Sequence, residues 1–373
     1  MLHVESLENR ALPSANPFAA GGSTAPAAEF ASHSHSSQSV IGSLSPSPTL
    51  SVSTIPSNGD LNPYGVAFVP NGFPKDGAAQ PGDILVSNFN AASNLQGSGT
   101  TIDRITPNGE VSTFFQGNPG LGLTTALGVL RHGYVVVGNV PTTDGTGATA
   151  QPGSLLVLDK SGITVANFSN AALLDGPWDL TVNDKGDEAQ VFVSNVLSGT
   201  VTRLDLRVPA NGSAPVITSA TQIASGYTHR TDPFALLLGP TGLAFDAKHD
   251  ILYVASTADN AIFAIPRAGD RHHDAGTGSI VYRDNAHLHG PLALVLAPNG
   301  DLIVSNGDAV NQDTSHPSEL TEFTPHGKFV AQFSIDPAID GAFGIALTVR
   351  HGETIFAAVD DNNNMLDIWD LGH

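Results

Sequence analysis

Cysteine is missing from all 373 residues, and that absence excludes disulfides, thiolate metal sites and cysteine nucleophiles together. Charge is scarce and one-sided. Charged residues make up 13% of the chain, 35 acidic against 15 basic, for a formal net charge of −20. A surface of that sign repels phosphate backbones and anionic lipid, so nucleic acid is not an expected partner. No apolar run approaches the roughly 20 residues a membrane helix needs, and no membrane span is expected. The N-terminus lacks the basic start and apolar core of an ordinary secretory signal. The sequence also holds no Gly-x-Ser-x-Gly, His-Glu-x-x-His or Gly-x-x-x-x-Gly-Lys-Ser/Thr, so serine-hydrolase, zincin and P-loop readings have no residue to stand on. The Gly-rich residues 144–154 contain no lysine and open no helix, which removes them as a phosphate cradle.

What is abundant is turn chemistry: 39 Gly and 25 Pro, the balance of an all-β chain with many turns and few helices. Residues 62–115 set the pattern. They read NPYGVAFVPNG, GDILVSNFN, TTIDRITPNG and EVSTFF, four β-rich runs separated by Pro, Gly and Asn turns. Such a meander cannot bury both faces alone. The same order of runs recurs to the C-terminus with a period of roughly 50 to 60 residues, in the range of propeller blades. Second strands end at Asn88, Asn139, Asn195, Thr257, Asn306 and Asp360, which makes six blades. Inner strands carry Gly65, Ala67, Gly242, Ala244, Gly344 and Ala346, small residues suited to a crowded axis.

After LDIWDL no fourth strand remains for the sixth blade, and an open edge invites aggregation. Residues 50–55 (LSVSTI) are strand-like and otherwise unassigned, so they are expected to close the ring. The expected domains are therefore a disordered segment, residues 1–49, and a propeller, residues 50–373. The first segment is rich in Ser, Ala, Pro and Gly without an apolar period. Trimming through Ser45 is accordingly expected to leave stability unchanged.

Blades of the form Pro-x-Gly-apolar-Ala, Gly-Asp-Ile/Leu-apolar-Val-Ser-Asn and a third strand ending in Pro-x-Gly resemble the NHL and TolB-like six-bladed propellers. The nearest matches span residues 63–109 and 240–266. The resemblance implies an all-β fold, a six-bladed β-propeller of four-stranded antiparallel blades. It leaves activity open, because lactonases, lyases, dehydrogenases and binding modules share the fold. Residues 4–15, with Leu7, Glu8, Arg10 and Leu12, resemble the Leu-Glu-x-Arg-x-Leu motif of planctomycete surface and secreted proteins, with Asn9 where that motif has Pro. That resemblance implies an extracellular or cell-surface location.

Chain direction sorts the loops. Those after second and fourth strands share one face, and those after first and third strands share the other. Long loops follow the second strands of blades one, two and five (residues 88–101, 139–154 and 306–319), so one face is elaborated, as binding faces usually are. His287, His289 and His316 belong to that face, while His272 and His273 belong to the opposite one. An extended His-x-His puts both rings on one side, and with His316 and Asp308 the group suits a divalent ion such as Zn²⁺. The alternative is that these rings cap backbone groups or are solvated. Asp361-Asn362-Asn363-Asn364 could coordinate Ca²⁺ but fits no EF-hand spacing and reads as a tight turn.

Asp175, Asp179 and Asp340, together with Asn62, resemble the oxygen-ligand rings of gluconolactonase-type propellers. There a divalent ion polarises a lactone carbonyl and a carboxylate handles the proton, which implies catalytic roles for Asp340 and Asp175. That family's Glu-Gly-Pro ligand setting and Asn-Gly ligand turns have no counterparts here. The expected function is a secreted or surface propeller, a monomer, binding a small-molecule or protein ligand through its elaborated face. The alternatives are a metal-dependent hydrolase or lyase of the gluconolactonase type, and a structural interaction scaffold.

Overall fold

A computed structural model describes residues 38–372; residues 4–15 and the rest of the segment before Gln38 lie outside it. Among the described residues, no helix is long and apolar enough to cross a membrane. The chain is a six-bladed β-propeller. Six four-stranded antiparallel sheets each run outward from an innermost strand, in chain order except for the outer edge of blade six. The innermost strands are Leu61–Phe68, Leu123–Leu130, Pro177–Asp184, Pro240–Asp246, Pro291–Leu296 and Ala342–Arg350. Blade six is completed from the N-terminus. Leu50–Ser53 pairs antiparallel with Met365–Asp370, with Leu50 opposite Ile368 and Val52 opposite Leu366.

Both faces of every sheet are covered, which is why the second strands read as nearly continuous apolar runs. Period two still sorts their side chains. In Ile84–Asn90, Leu85 packs toward blade two while Ile84 and Val86 pack toward blade six. The core is accordingly six wedges, one between each neighbouring pair of blades. A seventh cluster, around Tyr64, Phe89, Trp178 and Leu292, lies on the axis.

Small inner-strand residues answer to the crowding expected of them. A Cβ built on Gly344 would lie 1.9 Å from the Tyr64 carbonyl oxygen, and one on Gly242 would lie 2.6 Å from that of Leu292.

One boundary differs from the sequence reading. Residues 38–49, assigned above to the disordered segment, form a strap across blades five and six. Its single helical turn is Ile41–Ser43. Val40, Ile41 and Leu44 are buried beside Ala293, Ile303, Phe356 and Trp369. The buried carboxylate of Glu322 accepts hydrogen bonds from the Val40 and Ile41 N–H groups (3.1 and 2.9 Å) and from the Ser39 hydroxyl (2.6 Å). Further on, Trp369 Nε1 donates to the Ser45 carbonyl (2.8 Å) and the Thr49 N–H donates to that of Ile368. Low-complexity composition concealed three apolar side chains whose partners lie some 250 to 330 residues away in sequence.

Candidate functional site

Every inner strand breaks register with its neighbour near the elaborated face, as β-bulges next to functional sites commonly do. The breaks fall between Pro63 and Gly65, Leu123 and Leu127, Pro177 and Asp179, Pro240 and Leu243, Pro291 and Leu294, and Ala342 and Ile345. Four residues set apart by these breaks, Tyr64, Trp178, Leu292 and Phe343, gather on the axis. Tyr64 stacks on Phe89 with centroids 4.9 Å apart, and Trp178 and Phe343 meet Tyr64 edge-on at 6.0 and 5.1 Å. The result is an aromatic floor across the propeller's central channel.

The recurrent Val-Ser-Asn ending of second strands builds this floor. Ser87, Ser194 and Ser305 accept the N–H of Gly65, Asp179 and Ala293 at 3.0 Å, groups that the bulge would otherwise leave unpaired. The following Asn clamps the incoming loop. Asn195 donates to the Leu173 carbonyl and accepts the Asp175 N–H, while Asn306 donates to the His287 carbonyl and accepts the His289 N–H. The recurring Asn row is therefore structural and does not form a ring of ligands.

Above the floor lies a cavity of about 720 Å³, within the range that holds small molecules. Tyr64, Phe89, Leu292 and Phe343 form its base. On one side stands the hairpin of Arg230–Asp232 and Leu236–Leu238, whose Phe234 lines the cavity while remaining 87% exposed. On the other stand Asp308, Asp340 and Asp361 with Asn62. A smaller space of about 360 Å³ continues along the axis beyond Tyr64. Its one carboxylate, Asp179, is already committed to the N–H groups of Leu180 and Leu243. Uncommitted polar groups are found in the larger cavity, and the site is placed there.

Asp308 is 1% exposed. Its Oδ2 accepts the N–H groups of Ser318 (3.2 Å) and Asp340 (3.1 Å), and its Oδ1 has no partner. The Asn62 side-chain oxygen is buried and unpartnered as well. Burial raises the pKa of Asp308, and burial reinforced by the Asp308 charge raises that of Asp340. Asp361 is pushed to about 7, chiefly by burial and then by the charges of Asp360 and Asp340. Asn62, Asp308, Asn311 and Asp340 all take positive φ, between 53° and 68°. Asn and Asp enter the left-handed region readily, so these positions mark tight turns in the loops that line the cavity.

Of the sequence-derived candidates, Asp340 and Asp308 meet in this cavity, joined by the hydrogen bond between them. Asp175 sits on a separate loop, its N–H tied to Asn195 and its pKa raised by burial, and it does not line the cavity. The proposed histidine ligands are each engaged otherwise. His287 stacks on Phe329 (3.9 Å) with Nδ1 against Asp284 (2.8 Å) and Tyr282 (3.0 Å). His316 is half exposed beside Asp313. Among the described residues, no group of three or more His, Asp or Glu side chains is arranged to hold a metal ion. The oxygen ring expected from Asn62, Asp175, Asp179 and Asp340 divides likewise, with Asp179 on the far side of the aromatic floor. These donors do not fit a single divalent ion.

His289 is buried behind Asp308. Its Nδ1 lies 2.5 Å from the Asn311 carbonyl and 3.2 Å from Asn311 Nδ2, which already donates to the carbonyls of Asn285 and Leu288. Nδ1 therefore carries a proton. Nε2 faces the buried Glu319 carboxylate at 3.2 Å. Burial, reinforced by the charges of Asp308 and Asp313, pushes Glu319 to about 8. Sequence inspection missed Glu319 and the aromatic floor, and read Asp361 only as part of a tight turn. The available signal was the recurrence of Pro or Ala, a bulky residue and a small one at Pro63-Tyr64-Gly65, Pro291-Leu292-Ala293 and Ala342-Phe343-Gly344.

No protein-family model matches the chain, and no curated protein matches its sequence. Solved structures similar to it include the calcium-binding protein regucalcin from Agrobacterium tumefaciens, 11% identical, covering 84% of this chain and 92% of that one with a TM-score of 0.49. A gluconolactonase from Xanthomonas campestris is 14% identical, with 83% and 87% covered and a TM-score of 0.49. A chain of a nidogen/laminin complex is 13% identical, with 73% and 91% covered and a TM-score of 0.44. The propeller assignment rests on strand order and register, and these likenesses carry no argument about the site.

Proposed function

We propose that this propeller binds a small organic ligand in the cavity of its elaborated face. One observation carries the reading: a cavity of about 720 Å³ with an aromatic floor is lined by a buried carboxylate, Asp308, that has an unpartnered oxygen. A buried polar atom without a partner costs about 1–3 kcal/mol, a cost that a ligand donor would offset.

The metal-dependent hydrolase reading loses ground, since its expected oxygen donors are divided by the floor. Action at the cell surface or outside, implied by the resemblance in residues 4–15, is part of the proposal and is tested by fractionating the source cells. Ligand binding is tested by native mass spectrometry of protein purified without denaturation, followed by calorimetry with any ligand that co-purifies. Replacing Ala309, a partly exposed lining residue, with Trp should block binding while leaving the fold intact by circular dichroism. Unchanged affinity in that variant would move the site elsewhere.

A further inference from the structure

We infer that the ligand is an organic cation, an ammonium group on an apolar body. The inference rests on the cavity being the binding site and adds the chemical class. Asp232, Asp308, Asp340 and Asp361 line the cavity, and no Lys, Arg or His lines it, so no basic side chain of the lining compensates them. Asp308 sharpens the point. Two backbone N–H groups hold its Oδ2, while its Oδ1 is buried and unpartnered in a side chain only 1% exposed. A carboxylate so placed lacks one donor, and a positively charged one is matched best.

At the base, Tyr64, Phe89 and Phe343 provide aromatic rings, whose π-faces attract cations and whose area accepts an apolar body. A bare metal ion does not fit, because its donors do not converge. A neutral polyol would leave the carboxylates uncompensated, and an anion would be repelled by them. On the hairpin side Phe234, Leu237 and Leu238, beside Asp232 and Gln96, suit the hydrocarbon part of the molecule.

The test uses three probes with one phenylpropyl body on the intact protein: 3-phenylpropylammonium, 3-phenylpropan-1-ol and 3-phenylpropanoate. Calorimetry at pH 8 and low salt should show the ammonium binding at least about tenfold more tightly than the alcohol, with the carboxylate weakest. Asp361→Asn should reduce ammonium affinity several-fold and leave alcohol affinity unchanged. The exposed Phe234→Ala should weaken both, and both effects are readable even where Asp308→Asn fails to fold. If the alcohol or the carboxylate binds as tightly as the ammonium, and Ala309→Trp abolishes that binding, the cation class is wrong while the cavity stands as the site. If no probe binds, or binding survives Ala309→Trp, the cavity reading falls and the cation class with it.

Discussion

Replacing Ile41 with Ala tests whether the strap of residues 38–49 is part of the folded core. Ile41 is 1% exposed and sits among Ala293, Ile303, Phe356 and Trp369 in the wedge between blades five and six. Truncating a buried Ile to Ala costs about 2–5 kcal/mol, combining lost transfer energy with the cavity left behind. Unfolding entropy near 2.1 cal/mol/K per residue gives a domain of this length about 0.7 kcal/mol/K, so the midpoint should fall by roughly 3–7 °C. Glu322→Ala attacks the same strap from the other side. It leaves the Ser39 hydroxyl and the Val40 and Ile41 N–H groups without their acceptor, at about 1–3 kcal/mol for each group that stays buried. The two changes share one contact, so their double variant should cost less than the sum. Differential scanning calorimetry reads all three, and truncation through Ser45 should lower the midpoint at least as far as Ile41→Ala does. Midpoints within 1 °C of the parent for both single variants would show that the strap contributes nothing and would restore the disordered reading of residues 38–49.

Gly344→Ala should be strongly damaging, because its Cβ would collide with the Tyr64 carbonyl rather than with a flexible side chain. A loss of about 1–3 kcal/mol or more is expected by chemical denaturation, and a neutral result would mean the inner strands can spread. Glu319 is held protonated in the folded chain up to about pH 8, against 4.5 for an ordinary Glu, so the folded state binds the extra proton across that interval and stability should fall as pH rises through it. Glu319→Gln, which keeps the shape without the titration, should flatten the fall seen in thermal melts between pH 5 and 8. Parallel curves for variant and parent would refute the assignment, in which Asp308, Asp313, Asp284 and His289 are the neighbouring titratable groups. Asp361, raised to about 7 beside Asp360 and Asp340, should gain charge between pH 6 and 8. The phenylpropylammonium probe should therefore bind more tightly at pH 8 than at pH 6, and Asp361→Asn should remove most of that difference.

Blade number, blade order and the closing strand were legible in the sequence because each depends on local signals: turn residues, β-branched runs and a recurring Val-Ser-Asn. Small residues on the inner strands were legible too, since crowding at an axis acts on every blade alike. Face assignment by chain direction placed Asp308 and Asp340 on one side of the ring, and they do meet there. What repetition could not show is how blades differ once closed. Tyr64, Trp178, Leu292 and Phe343 become a floor only because the bulges in four different blades deliver them to one point. His289 and Glu319 come from separate loops of blade five, and burial alone brings them together and raises the Glu319 pKa, which has no trace in spacing. The strap's apolar residues and Glu322 pair across some 280 residues, so composition could describe the segment's polarity but not its docking. Periodic, local energies are written in the chain itself. The site depends on long-range packing and on the removal of water from carboxylates, and only the closed ring decides those.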